Sequence, residues 1–343
     1  MKKGTLILVM AFFSAVLMAQ PQAPNRIDSQ GKKQGEWRKF KDGVLLYEGR
    51  FKDDVPIGEF KYYHPNGSLK SISVFIQGAH EVKTTIFHPN GQKASEGRFL
   101  DQLKDGEWNY WNENGGLISV ENYAKGKKNG VWKVFSAQTG ILLEELNYKN
   151  ELLDGVSKTF YTDGKPCTVD HFIMGKRYGE AISYFIDGVV SIKGEYKDNL
   201  RIGEWEYYDQ GGRLRKIVHY DRSHEISTYL FFYNRSQQIK LNQEAIAYFL
   251  FQGNKTVIYT VKGEIMTITD DAEIVTYWAD FFNFVPVSPK IHAAHQAVKS
   301  YVTVDEETIE VFLQPQLPYP VYSKGDKAEM VKMLFPRELP KLE

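Results

Sequence analysis

Gly203-Glu-Trp-Glu-Tyr-Tyr-Asp-Gln-Gly-Gly212, followed by Arg213-Leu-Arg-Lys-Ile-Val-His-Tyr220, is the stretch whose reading decides the fold. A short run of aromatic residues meets a glycine turn, and a second run with aromatic and β-branched residues follows. That is the pattern of a β-hairpin. The same pattern recurs along the chain. Its turn glycine appears at Gly43, Gly67, Gly91, Gly115, Gly140, Gly164, Gly188 and Gly212, in steps of 24 residues with a single step of 25. An aromatic lies eight residues after each: Phe51, Phe75, Phe99, Tyr123, Tyr148, Phe172, Tyr196 and Tyr220. An earlier aromatic keeps the same interval: Phe40, Tyr63, Phe87, Trp111, Phe135, Phe160, Tyr184 and Tyr208. Three coincident series identify a tandem repeat, each copy one supersecondary unit that needs its neighbours for stability.

Twenty-four residues accommodate two strands and two turns but no helix. Most turns end in Asn-Gly or Asp-Gly, as in Pro65-Asn-Gly67, Pro89-Asn-Gly91, Thr162-Asp-Gly164 and Ile186-Asp-Gly188. These predict two-residue type I′ turns with both central residues at positive φ. A looser second connection is expected before Gly35, Gly58, Gly106, Gly130, Gly155, Gly179 and Gly203, a series that only Val82 breaks. The expected fold class is mainly β: an elongated single-layer antiparallel sheet of tandem hairpins, with a smaller α+β C-terminal region.

The units resemble the MORN repeat, and more closely its bacterial variant, whose units run Gly-x-Trp-x-x-Tyr-x-x-x-Gly-x-Leu and close on Tyr or Phe. The residues that carry the resemblance are Gly35-Glu-Trp37, Gly58-Glu-Phe60, Gly106-Glu-Trp108, Gly130-Val-Trp132 and Gly203-Glu-Trp205, together with the aromatic series. The resemblance covers nearly two thirds of the chain and implies a repeat scaffold that binds rather than catalyses. Bacterial proteins of this type are often labelled antitoxin-like, a label that carries little chemistry.

The expected organisation is a signal peptide over 1–19, a flexible lead-in over 20–34, eight repeats over 35–222, and a degenerate cap repeat with an α+β region over 223–343. Lys2 and Lys3 precede an apolar run from Thr5 to Leu17, and Ala19 is a small residue at a cleavage point. That run is shorter than the roughly 20 residues of an ordinary membrane span. No cysteine lies near the cleavage point to carry a lipid. Cys167 is the sole cysteine, which rules out an internal disulfide and multi-cysteine metal sites. Lys plus Arg and Asp plus Glu both total 43. The formal charge is therefore zero, without the basic field that nucleic-acid binding needs. Charges fall on both alternating sets of strand residues, as in Arg213-Leu-Arg-Lys, which argues against a lipid-facing barrel.

Strand alternation separates two aromatic rows. The row five residues after each starting glycine holds an aromatic in all eight units and is expected to pack structurally. The row two after the glycine is interrupted: Trp37, Phe60, Trp108, Trp132 and Trp205, but Thr84, Ser157 and Ala181 elsewhere. Tyr62, Tyr110 and Tyr207 share its face. This second set is the expected contact surface, because Trp and Tyr dominate binding hot spots. The alternative reading is a cross-strand ladder that only stabilises the sheet.

Beyond Tyr220, Tyr229–Tyr233 falls at a strand position, and Ala247–Phe251 with Thr256–Val261 reads as a hairpin. Thr269, Asp270 and Asp271 read as an N-cap cluster for a helix over Ala272–Phe282. A second short helix is expected over Ile291–Tyr301, a strand over Thr308–Leu313, and an extended segment over Gln314–Pro320. His292 and His295 are three apart but lack a third ligand. No nucleophile elbow, zinc-protease motif, phosphate loop or dinucleotide fingerprint is present. The expectation is an exported, non-enzymatic scaffold, periplasmic, secreted or associated with the outer membrane, without cofactor, metal or nucleic acid. Its expected partner is a protein of the cell envelope. The alternative partner is an envelope glycan, peptidoglycan or lipid head group.

Overall fold

The computed structural model describes residues 24–335 apart from 77, 236 and 271, so the expected signal peptide lies outside the described residues. The chain is mainly β, built on antiparallel sheet from successive hairpins, and divides into two compact units after Lys127. In the first unit the hairpins are Lys33–Lys41 with Val44–Lys52, Val55–Tyr63 with Leu69–Ile76, Glu81–Phe87 with Lys93–Leu100, and Leu103–Trp111 with Leu117–Ala124. In the second unit they run from Gly130–Phe135 with Leu142–Lys149 to Leu200–Tyr208 with Leu214–Asp221. His224–Asn234 and Gln237–Asn242 then add a ninth, degenerate hairpin to the last repeat. Part of the stretch expected as a flexible lead-in is ordered, since Arg26–Ile27 pairs with Lys33 and Gln34.

The glycine series occupies the backbone region that explains it. Each turn glycine has positive φ, from 71° at Gly140 to 93° at Gly188. The turn type differs from the expected one. At His64-Pro-Asn-Gly-Ser68 the Gly67 N–H donates to the His64 carbonyl and the His64 N–H to the Ser68 carbonyl, which is a three-residue loop with a glycine bulge. Asn66 is not at positive φ. Its Oδ1 instead accepts the Ser68 N–H at 3.0 Å, and Asn90, Asp163 and Asp187 do the same two residues on. The tight type I′ turns lie at the other end of the hairpins, where the sequence predicted a looser link. Asp53-Asp54, Asp101-Gln102, Asn150-Glu151 and Asp198-Asn199 all have both residues at positive φ. The first turn is an exception, a two-residue turn at Asp42-Gly43. The single 25-residue step is absorbed at Ser136–Gly140, where the Gly140 N–H reaches back to the Ser136 carbonyl. Gly164→Val, at φ 87°, is expected to cost about 1–3 kcal/mol through this strained conformation, read as a lowered urea midpoint.

The bulge that follows each turn sits immediately before the position-five aromatic: between Tyr62 and Tyr63, Tyr110 and Trp111, Val134 and Phe135, Tyr207 and Tyr208. Residues just after that aromatic link successive turns. His88 Nε2 lies 2.9 Å from the Trp111 carbonyl, and Tyr161 Oη donates to the Tyr184 carbonyl at 2.6 Å.

In the second unit, the C-terminal region forms a five-stranded sheet, a three-stranded sheet and two helices, α1 (Ala272–Phe281) and α2 (Asp326–Leu334). One core joins Trp205, Tyr207, Val218 and Leu230 of the last repeats to Phe249, Val275, Trp278 and Phe282. A second core gathers Ile309, Val311 and Val331 around Tyr248. The helix expected over Ile291–Tyr301 is absent. Ile291–Ala293 pairs with Tyr248–Leu250, a 3-10 turn covers His295–Ala297, and Val298–Thr303 pairs with Thr308–Leu313. Cross-strand packing of Ile291, Val298 and Val302 overrides the weak helical periodicity.

His292 is 5% exposed, with Nδ1 3.0 Å from Asp280 Oδ1 and its ring edge-on to Phe251. Burial, aided by the Lys327 charge and opposed by Asp280, holds its pKa below the ordinary histidine value. A depressed histidine pKa contributes stability that is complete above about pH 6.5 and is lost as pH falls below it. Melting temperature should therefore drop between pH 7 and pH 5, and His292→Gln should flatten that dependence.

Candidate functional site

Strand alternation places the position-two row, with Tyr62, Tyr110 and Tyr207, on one face of each unit. This row is packed rather than open, which corrects the expected exposure. Phe60 is 2% exposed, Trp108 1%, Trp205 3%, Trp132 8% and Tyr207 7%, while Trp37, Tyr62 and Tyr110 are half-buried. The position-five row is less buried, with Phe40 59% exposed at its start.

Two features bury the first row. The closing aromatics share its face and meet it edge to face: Phe99 on Trp108 at 4.8 Å between ring centroids, Tyr196 on Trp205 at 4.9 Å, and Phe51 on Phe60 at 5.2 Å. The facing strand also carries a glycine where the ring lands. A Cβ added to Gly97 would lie 2.2 Å from the Trp108 indole, with the same clash at Gly49 against Phe60 and at Gly194 against Trp205. These three glycines escaped the sequence reading. Their signal is a glycine eleven residues before each of Phe60, Trp108 and Trp205, with Ser73, Leu146 and Asp170 where position two is Thr84, Ser157 and Ala181. Trp108 Nε1 donates to the Arg98 carbonyl at 3.0 Å, and Trp205 Nε1 to the Glu195 carbonyl at 3.2 Å.

A cation two residues before the starting glycine lies over several of these rings. In the first unit Lys33 Nζ is 5.0 Å from the Trp37 ring and 4.8 Å from that of Phe51, and Lys104 Nζ is 4.7 Å from Trp108 and 4.8 Å from Tyr123. In the second unit Lys128 Nζ is 4.2 Å from Trp132, and the Arg201 guanidinium is 4.4 Å from Trp205. Among the described residues none of these four cations has a carboxylate at ion-pair distance. Arg177, at the same position before Gly179 and 5.3 Å from the Tyr196 ring, does have one, Asp170 at 3.3 Å, as do several cations of the opposite face: Arg38 with Glu48 at 3.3 Å, Lys61 with Glu59 at 3.3 Å, Lys193 with Glu180 at 3.0 Å. Tyrosine hydroxyls complete the aromatic face. Lys104 donates to Tyr110 Oη, and Arg201 Nη1 to Tyr207 and Tyr220 Oη at 3.3 Å each. Burial, with the Glu121 charge, pushes the Tyr110 hydroxyl up to about 12, so it stays protonated.

His292 and His295 do not converge: the first faces Asp280 and the second lies tilted against Phe335, with 4.4 Å between ring centroids. Among the described residues, no three His, Cys, Asp or Glu gather as a metal site, and no helix is long and apolar enough to cross a membrane.

The MORN repeat variant family matches residues 56–77, the second hairpin, which supports MORN-repeat character. No curated protein matches the chain. Among solved structures, a LytTr DNA-binding domain from Bacillus cereus is similar at 12% identity over 31% of this chain and 94% of its own, with a TM-score of 0.25. That likeness is too low to bear on fold or function.

Proposed function

We propose that this chain is an exported, non-enzymatic repeat scaffold that binds a protein partner in the cell envelope. The observation that carries this reading is the layer of cations over the aromatic face of each unit, of which Lys33 and Lys104 in the first and Lys128 and Arg201 in the second have no carboxylate at ion-pair distance among the described residues. The rings beneath are consumed by packing, so the groups offered to a partner are Lys33, Lys104, Lys128 and Arg201 with the half-buried Tyr62 and Tyr110. Positive charge on an apolar bed suits an acidic segment with apolar or aromatic side chains, since a carboxylate placed there gains a charge partner the fold does not supply. The same layer favours a second reading, an anionic lipid head group or acidic glycan of the envelope.

The test is a pull-down of the tagged mature protein from its native envelope, with terminal sequencing of the exported form. Cleavage after Ala19 is expected, and intact Met1 on cytoplasmic protein would remove the export half. Lys104→Glu with Arg201→Glu should abolish partner capture and leave the melting temperature within a few degrees. Retained capture would reject the face as the protein-binding surface. Loss of binding to anionic vesicles, with protein capture intact, would favour the second reading.

A further inference from the structure

Strand Gln237–Asn242 closes the ninth hairpin of the second unit, and among the described residues His224–Asn234 is the sole strand it pairs with. Opposite Gln238, the Tyr233 N–H points away from this strand. It donates to Asp270 Oδ2 at 3.0 Å, whose partner Arg215 lies on the other neighbouring strand, Leu214–Asp221. A residue of an antiparallel ladder aims both backbone groups to one side, and the next residue aims its own to the other. Phe232 and Asn234 therefore bond Ile239 and Gln237, while Gln238, Lys240 and Asn242 turn N–H and C=O outward. Gln237, Gln238 and Lys240 are exposed.

An edge of this kind is normally blunted by proline, a bulge or an overhanging charge. This strand contains no proline, and its register runs without a bulge. Lys240 does not overhang the edge. Its Nζ lies 4.2 Å from the Tyr229 ring and 5.7 Å from that of Phe231, over its own sheet. The opening strand of the first unit, Lys33–Lys41, is covered by contrast. Arg26–Ile27 pairs with it, the Asn25 N–H donates to the Glu36 carbonyl, and Asn25 Oδ1 accepts the Arg38 N–H.

The open edge complements itself. With a second copy set antiparallel about a two-fold axis at Ile239, Gln238 of each copy meets Lys240 of the other in a hydrogen-bonded pair. Ile239 then faces Ile239 of the second copy in the non-hydrogen-bonded site between, where side chains come closest. An axis at Lys240 would instead oppose two ammonium groups, so charge selects the first register. The strand ends agree with it. Arg235, in the turn before the strand, and Glu244, just beyond it, are exposed, and neither has an ion-pair partner among the described residues. The same axis brings Arg235 of each copy to the end that carries Glu244 of the other. We propose that Gln237–Asn242 is the interface between two copies of this chain, paired antiparallel edge to edge.

Sedimentation equilibrium of the mature chain tests it, over about 1 to 200 μM protein, the range in which a small interface associates reversibly. A monomer–dimer equilibrium is expected. Arg235→Glu should weaken it by about tenfold or more, because a carboxylate then faces Glu244 of the other copy. Glu244→Arg should do the same by opposing Arg235. The double reversal should restore association to near the original strength, which a general loss of surface charge would not. Gln238→Lys should also weaken the dimer, since the new ammonium opposes Lys240 of the other copy. All three positions are exposed, so the melting temperature of the monomer should hold within a few degrees. A monomer throughout the range would overturn the dimer and leave the edge to a strand of another protein. A dimer that no variant weakens, or single losses that the double reversal does not repair, would place the contact elsewhere and overturn it equally.

Discussion

Trp108→Ala and Trp205→Ala should each destabilise the protein by about 3–5 kcal/mol, the usual cost of deleting a large buried aromatic. The rings are 1% and 3% exposed, each seats on a facing glycine, and each loses an indole hydrogen bond to a carbonyl. The neighbouring strand cannot refill the space, because Gly97 and Gly194 have no side chain to rotate in. Phe40→Ala, in the position-five row, should stay within about 0.5 kcal/mol, since that ring is 59% exposed. Urea unfolding of the three variants, read by far-ultraviolet circular dichroism, gives the comparison. Equal losses at Trp108 and Phe40 would mean that the two rows share the burden of packing and that the glycine seats do not matter. The cations above the rings make a second contribution. Removing Trp108 also removes the bed of Lys104, so partner capture should fall along with stability, whereas Lys104→Glu should affect capture alone.

The hairpin array was legible because a positive φ at a fixed interval demands glycine, and a 24-residue interval admits no other element. The turn type was equally available and was misread. Pro65 and Pro89 would precede the central Asn-Gly of a type I′ turn, where they have no N–H for the closing hydrogen-bonded pair, whereas a type I turn favours proline at its first central position. Asn-Gly alone fits both turns. The order of the faces was hidden for a different reason. Alternation separates the two rows, but the recurrence of the position-five aromatic does not mark it as the more deeply buried row. Burial is decided across strands, by Gly49, Gly97 and Gly194 opposite the large rings, and a bulge before position five displaces the other row. That Lys104 and Arg201 have no carboxylate at ion-pair distance among the described residues cannot be read from composition, because the chain's charges balance and only geometry shows which carboxylates reach which cations.

Asp270→Ala should cost about 3–5 kcal/mol, the penalty for stranding one member of a buried ion pair. In sequence Asp270 read as part of a helix N-cap. The fold instead closes it against Arg215, 55 residues earlier, with side chains 1% and 2% exposed. Arg215 Nη1 and Nη2 both donate to the carboxylate, Arg215 Nε donates to Asp209 Oδ2 at 2.7 Å, and the Tyr233 N–H adds a third donor to Asp270 at 3.0 Å. The guanidinium plane also lies 4.9 Å from the Tyr233 ring. Burial disfavours its charge, but the two aspartates outweigh burial and raise its pKa, so it is charged at every pH at which the protein folds. The network ties the last repeat turn, through Asp209, to the strand that leads into α1. With Asp270 removed, Arg215 keeps its charge and one carboxylate in a site that excludes water. Arg215→Met should cost somewhat less, because it leaves the carboxylate with the Tyr233 amide and the more distant Arg213 Nη1 at 3.7 Å. Arg215→Met combined with Asp270→Leu should recover much of either loss, because an apolar pair of similar volume needs no solvation. Chemical denaturation of the four proteins closes the cycle. The effect should also persist in about 0.5 M salt, roughly threefold above the physiological 0.15 M, because ions do not screen a pair sealed from solvent. Additive single losses, or a loss that salt removes, would mean that the pair is solvated and that hydrophobic packing alone holds the α+β region to the last repeat.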